Sequence, residues 1–217
     1  MKKHILTLIA VISIFSACKK DSNNPGGGNT NGDYQPVTKG SNWTYETEYY
    51  GIENSTDKET ATNTITGVTK TFDGKKYYEV KVVSEGDEET QYIGINNHVY
   101  TTLTIDGEDT FELPYFIDNK SVNESVITSL ANQEGFQLQL KTTITEKGIS
   151  KAILGKTYTN VVHTVTETQA KQTGAANFTT TSTTDTYVAK GVGVIAIYAK
   201  TPTKNVLKSE LKAYVIK

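Results

Sequence analysis

The sequence predicts a mainly β protein: an antiparallel meander of about 11 strands forming a half-barrel or a lipocalin-like barrel, with one short helix near 121–133. Composition points there first, because the chain holds 35 threonines and 13 tyrosines, residue types that fit a pleated, half-buried surface. Apolar and polar residues alternate with period two in several runs. Turn-forming dipeptides fall between those runs.

The chain begins with a different kind of segment. Lys2 and Lys3 precede an apolar run from Ile5 to Phe15, broken only by Thr7 and Ser13, and the small residues Ser16 and Ala17 follow. That is the layout of a secretion signal over 1–17. The run is about 11 residues, short of the roughly 20 that cross a bilayer as a helix. Phe15-Ser16-Ala17-Cys18 resembles the lipobox of bacterial lipoproteins, with Phe15 where Leu is usual. The resemblance implies that Cys18 receives a diacylglyceryl thioether and then an acyl group on its new amine. Cys18 is the only cysteine, so the domain has no internal disulfide. Several acyl chains together give stable anchoring, since each buried methylene is worth about 0.8 kcal/mol. The expected membrane partner is therefore reached through lipid at Cys18. Lys19 is not the aspartate that commonly signals inner-membrane retention, so an outer-membrane location is expected, facing either the periplasm or the surface.

Residues 18–33 read as the lipidated cysteine and a flexible tether. Asp21 to Gly32 carries no apolar side chain except Pro25, and such a segment cannot offset its ordering entropy by burial. Its end-to-end distance is about 20 Å. Residues 34–217 form one β domain. Strands are expected near 43–50, 60–71, 76–84, 90–95, 98–105, 109–115, 136–146, 157–168, 179–189, 193–199 and 206–215. Tyr78, Val80 and Val82 oppose Glu79 and Lys81; Phe136, Leu138, Leu140 and Ile144 oppose Gln137, Gln139 and Lys141. One apolar and one polar face mark an antiparallel sheet wet on one side. Asp73-Gly74, Asn96-Asn97 and Asp106-Gly107 suit hairpins that need positive φ. Glu85-Gly86, Lys147-Gly148 and Gln172-Thr173-Gly174 are further turns.

Ser121 to Gln133 departs from this pattern. Val122, Val126, Ile127 and Leu130 stand at helical spacing, Ser121 and Glu124 form a capping-box pair, and Gly135 offers a stop. Val192 to Ala199 is apolar on both faces, so something must cover it: the helix, an opposite barrel wall, or an apolar ligand. Thr179 to Thr184 is polar on both faces and suits an edge or a solvated wall.

Three patches resemble uncharacterised lipoproteins of the Bacteroidetes group. They are Tyr34-x-Pro36 with Gly40-Ser41-x-Trp43-x-Tyr45; Gly155-x-x-Tyr158-x-x-Val161-Val162-x-x-Val165; and Tyr187-x-Ala189-Lys190-Gly191-Val192-Gly193-x-Ile195. The resemblance implies an all-β lipoprotein domain. It brings no activity and no catalytic residues.

The search for chemistry finds no constellation. The chain has no arginine and a mild acidic excess, which argues against nucleic acid and dedicated phosphate clamps. Beyond the signal, only His98 and His163 remain. Neither has a metal-ligand or nucleophile-base partner at a recognisable spacing, and no Gly-x-Ser-x-Gly elbow exists. His163 alternates with Val161 and Val165 and is read as a hydrogen-bonded core residue. The acidic groups Glu85, Asp87, Glu88, Glu89 and Asp106, Glu108, Asp109 sit in hairpin tips, where charge keeps turns solvated. No metal, cofactor or enzymatic activity is expected. The leading expectation is a non-enzymatic binding module for a hydrophobic molecule or glycan. Its candidate lining is Trp43, Tyr45, Tyr49, Leu138, Leu140 and Ile195. The alternative is a structural or interaction protein of the envelope with a filled core and no small-molecule ligand.

Overall fold

The computed structural model describes residues 34–51, 56–106, 109–130 and 135–217. The signal segment, Cys18 and the tether lie outside the described residues. Twelve strands follow in chain order: β1 (Asn42–Tyr50), β2 (Thr56–Phe72), β3 (Lys75–Ser84), β4 (Asp87–Asn96), β5 (Val99–Asp106), β6 (Asp109–Ile117), β7 (Ser125–Ser129), β8 (Phe136–Ile153), β9 (Lys156–Gln172), β10 (Thr179–Ala189), β11 (Gly193–Lys200) and β12 (Asn205–Val215). All belong to one antiparallel sheet in the order β6-β5-β4-β3-β2-β1-β12-β11-β10-β9-β8-β7. Eleven of them overlay the expected strands.

The order shows why the sheet must curl. β6 and β7 stand at its two extremes, yet only residues 118–124 join them. A flat sheet of this many strands spans about 50 Å across. The linker reaches at most about 28 Å. The sheet therefore rolls into a nearly closed barrel whose seam lies between β6 and β7. The linker is held on both sides of that seam. Asp118 donates its N–H to the His98 carbonyl (3.1 Å), while Asn123 donates to the Ile144 carbonyl (2.7 Å). Lys147 Nζ donates to the carbonyls of Asp118 (3.0 Å) and Lys120 (2.8 Å).

The expected helix is corrected to a strand. The capping-box pair forms in part: Ser121 donates its N–H to Glu124 Oε2 at 2.5 Å. Glu124 also donates its N–H to the Ser121 carbonyl at 3.1 Å, closing a turn. Asn123, at φ 69, then takes the chain away from the helical path. Ser125–Ser129 pairs with β8 from Ser125↔Thr143 to Ser129↔Gln139. Val126 and Ile127 are β-branched and suit either spacing in so short a run. The edge of the 18-residue β8 decides between them by offering a ladder. Residues 131–133 of the expected helix lie outside the described residues.

The core sits inside the barrel. Trp43, Tyr45, Ile65, Val80, Ile93, Tyr100, Phe116, Ile144, Val161, Val188, Ile195, Leu207 and Leu211 form one buried cluster. β11 is buried along both faces from Gly193 to Ile197, as its sequence requires. Its covers come from the protein itself. Ile149, Tyr187 and Tyr198 pack onto the same cluster, and the end of the β8–β9 hairpin folds in with Ile153 and Tyr158 buried. Lys151 Nζ lies 4.0 Å from the Tyr187 ring centroid, and Lys156 Nζ 3.8 Å from that of Tyr214.

Candidate functional site

The candidate lining residues fall into two groups. Trp43 and Tyr45 are two apart on β1, so both point into the barrel, where they are 0% and 1% exposed. Each spends its polar atom on the same stretch of backbone. Trp43 Nε1 donates to the Val192 carbonyl at 2.6 Å, and the Tyr45 hydroxyl donates to the Val194 carbonyl at 2.6 Å. Burial pushes the Tyr45 hydroxyl well above its ordinary pKa, so it stays a donor. Ile195, fully buried, joins the same cluster, and Tyr49 packs against it half-buried. Leu140 is buried and Leu138 half-buried on the upper part of β8. They stand apart from the Trp43–Tyr45 pair. Of the candidate lining, Trp43, Tyr45 and Ile195 are thus buried in one cluster.

The three sequence patches meet here. Trp43-x-Tyr45 docks on Val192 and Val194; Val161 pairs with Ala189, and Val162 with Val188. Gly193 adopts φ 102, and a Cβ there would lie 2.6 Å from Gln35 Oε1. Glycine is thus required by both conformation and space. The patches are one structural knot, spread over the chain and assembled by the barrel.

Both histidines lie against carboxylates. His163 is not in the core: it stacks on Tyr187 (4.2 Å, 6°), half-buried, with Nδ1 3.1 Å from Glu146 Oε2 and Nε2 2.8 Å from Asp185 Oδ1. Each ring nitrogen lies within hydrogen-bond distance of a side-chain carboxylate. His98 Nδ1 lies 2.6 Å from Asp118 Oδ1, and the Tyr100 hydroxyl donates to Asp118 Oδ2 at 2.9 Å. This network braces the seam linker. Among the described residues no group of three or more His, Cys, Asp or Glu is placed to hold a metal. No helix among them is long and apolar enough to cross a membrane.

Two clefts mark the surface. The larger, about 510 Å³, is lined by Glu46, Thr47, Glu48, Lys58, Glu59, Thr60 and Glu85. The smaller, about 260 Å³, has Tyr50, Asp185, Tyr198, Lys200, Asn205 and Lys208 in its lining. Both mix polar and apolar surface and are bordered by charge pairs. Lys58 donates to Glu48 (2.6 Å), and this hydrogen bond, with one from Tyr50, holds the Glu48 carboxyl below its usual range. The Tyr198 hydroxyl donates to Glu210 at 2.7 Å.

Sequence reasoning missed a second cluster, Tyr77, Tyr92 and Leu103 with Phe72 packed against it. Tyr77 was left out because it shares the polar alternation of Glu79 and Lys81. It is nevertheless 2% exposed, and a Cβ on Gly94 would lie 2.7 Å from its ring. Gly94, alone between Ile93 and Ile95, was the available signal: a strand glycine marks close approach from a neighbour.

No protein-family model matches the chain, and no curated protein does. Solved structures do match in fold. A candidate lipoprotein from Parabacteroides distasonis is similar with a TM-score of 0.54 and 10% identity, covering 86% of this chain and 100% of its own. A candidate exported protein with a YmcC-like fold from Bacteroides fragilis has a TM-score of 0.52 and 8% identity, covering 85% and 99%. The barrel is thus shared with Bacteroidetes proteins, in keeping with the resemblance read from the three patches.

Proposed function

We propose that the protein is a lipoprotein of the cell envelope, held at the outer membrane by lipid at Cys18, that acts without catalysis and through its outer surface. The lipobox supports the anchor, and the fold shared with a candidate lipoprotein and a candidate exported protein supports the compartment. The single observation that carries the outward-facing reading is the pair of cross-barrel hydrogen bonds from Trp43 and Tyr45. A ligand in the interior would have to displace both rings and leave two buried carbonyls unpaired, at about 1–3 kcal/mol each.

A ligand held inside the barrel, a hydrophobic molecule or a glycan, is the second reading. Asn63 favours it: the residue is fully buried, and neither amide atom meets a hydrogen-bonding partner within the described protein. The test follows Trp43, the only tryptophan, by fluorescence while fatty acids and oligosaccharides are titrated in. The outward-facing reading predicts an unchanged spectrum with both classes. A saturable shift with either one replaces it with the second reading. The anchor is tested separately: Cys18→Ala is expected to abolish membrane fractionation, and a variant still in membranes removes the lipid assignment.

A further inference from the structure

The meander sorts its connections strictly between two ends. Every connection reverses the chain, so β2–β3, β4–β5, β6–β7, β8–β9 and β10–β11 turn at the end where β1 begins, and β12 finishes there too. The other connections lie at the opposite end. Charge follows the same division. Lys39, Lys75, Lys76, Lys147, Lys190 and Lys217 are exposed at the first end. The acids there are fewer: Asp73 is exposed in the β2–β3 turn, Asp118 accepts from His98 and Tyr100, and Glu124 accepts from Ser121 with Lys120 at 3.7 Å, while Lys75 is itself paired with Glu112 at 2.6 Å. The opposite end carries Glu48, Asp57, Glu59, Glu85, Asp87 and Glu88 around the β1–β2 and β3–β4 connections; of its lysines, Lys58, Lys81 and Lys200 are paired with Glu48, Glu88 and Asp185, and Lys204 is exposed.

Two further facts separate the ends. Tyr34, eight residues before β1, packs edge-on against Phe116 near the end of β6 at 4.9 Å, so the chain enters the barrel at the lysine-rich end. That end also exposes Val68 (48%), Val122 (44%), Leu154 (50%) and Ile216 (38%) among its lysines. The opposite end exposes Phe111 and Phe136, so apolar exposure alone does not distinguish the two. The sign of the surrounding charge does. Lysines beside small apolar tips match an anionic bilayer surface, where each ammonium gains about 1 kcal/mol and apolar side chains enter the headgroup layer.

We propose that the lysine-rich end of the barrel docks on anionic lipid headgroups, which turns the acidic end away from the membrane. The inference rests on the anchor reading, because lipid at Cys18 confines that end near the bilayer. The test uses the natural full-length protein, extracted in detergent and mixed with vesicles of phosphatidylcholine alone or of phosphatidylcholine and phosphatidylglycerol, at low and high salt. Flotation reports the anchor. An environment-sensitive dye on Leu154→Cys reports docking, with Glu85→Cys at the opposite end as the control. The expected result is flotation with both compositions, and a blue shift at position 154 only, only with phosphatidylglycerol, reversed by salt. Lys76→Glu and Lys190→Glu are each expected to weaken that response about fivefold or more. Flotation with both compositions and a water-like dye at position 154 overturns docking and leaves the anchor standing. Flotation with phosphatidylglycerol vesicles alone, lost at high salt, upholds docking and removes the anchor. Flotation with neither overturns both.

Discussion

The two ends of this barrel are built on different physics. At the end where β1 begins, Trp43, Tyr45, Val161, Val162, Val194 and Ile195 are buried against one another and tied by two side-chain bonds to backbone carbonyls. Toward the opposite end the interior turns to hydroxyls that satisfy one another in pairs, Thr47 with Ser209 at 2.8 Å and Thr142 with Thr166 at 3.0 Å. The surface there is a mesh of ion pairs such as Lys58 with Glu48 at 2.6 Å and Lys81 with Glu88. Burial of large side chains contributes several kcal/mol per residue, whereas exposed pairs contribute under about 1. Stability is therefore concentrated at one end, and the other end can change its surface at small cost to the fold.

That contrast is open to breaking. Trp43→Ala should produce the largest loss, about 3–5 kcal/mol in urea unfolding, because it leaves a cavity and an unpaired Val192 carbonyl. Thr47→Ala, two turns of the pleat along the same strand, should cost about 1 kcal/mol; equal losses would erase the distinction. Gly193→Ala follows, at roughly 1–3 kcal/mol, since it meets both a positive φ and Gln35. Gly174→Ala is the matched control: φ is 89, but nothing lies near the added Cβ, so only the conformational part should remain. Tyr45→Phe should cost about 1–2 kcal/mol by stranding the Val194 carbonyl in the core. Tyr50→Phe, whose hydroxyl donates to the half-buried surface residue Glu48, should stay within about 0.5 kcal/mol.

The smallest effect is electrostatic. Burial raises the Glu112 carboxyl, but hydrogen bonds from Lys75 and Tyr77 outweigh it and hold the group below its usual range. A carboxyl lowered in the folded state adds stability above its unfolded pKa, and that share is lost as pH falls through the folded value. Acid titration followed by carboxyl NMR should show Glu112 titrating below an ordinary glutamate. Tyr77→Phe should move it upward, and no movement would discount the hydrogen bond.

Much of the barrel was legible because its information is local. Asp73-Gly74 and Glu85-Gly86 take positive φ as their dipeptides demand, at 47° and 73° and at 51° and 98°. Asn96-Asn97 was one residue early: the positive φ pair is Asn97 and His98. Ser121 to Leu130 was misread because its local signals, a real capping contact and β-branched residues, fit helix and strand alike, and only pairing with β8 decides. The knot was half legible. Trp43 and Tyr45 could be placed on one face, but their bonds reach residues 149 positions away, which no spacing encodes. Tyr77 illustrates the remaining gap: alternation assigns it to the polar face, and only its cross-strand partner Gly94 makes room for a buried ring.

The Trp43 indole N–H is a single, resolvable probe of whether the interior is filled and locked. Its hydrogen exchange, followed by NMR on the full-length protein, should be protected to the level of global unfolding and unchanged by added fatty acid or oligosaccharide. Exchange as fast as that of the surface turns, or protection that shifts on ligand addition, would mean the interior opens and that the barrel's working face lies inside.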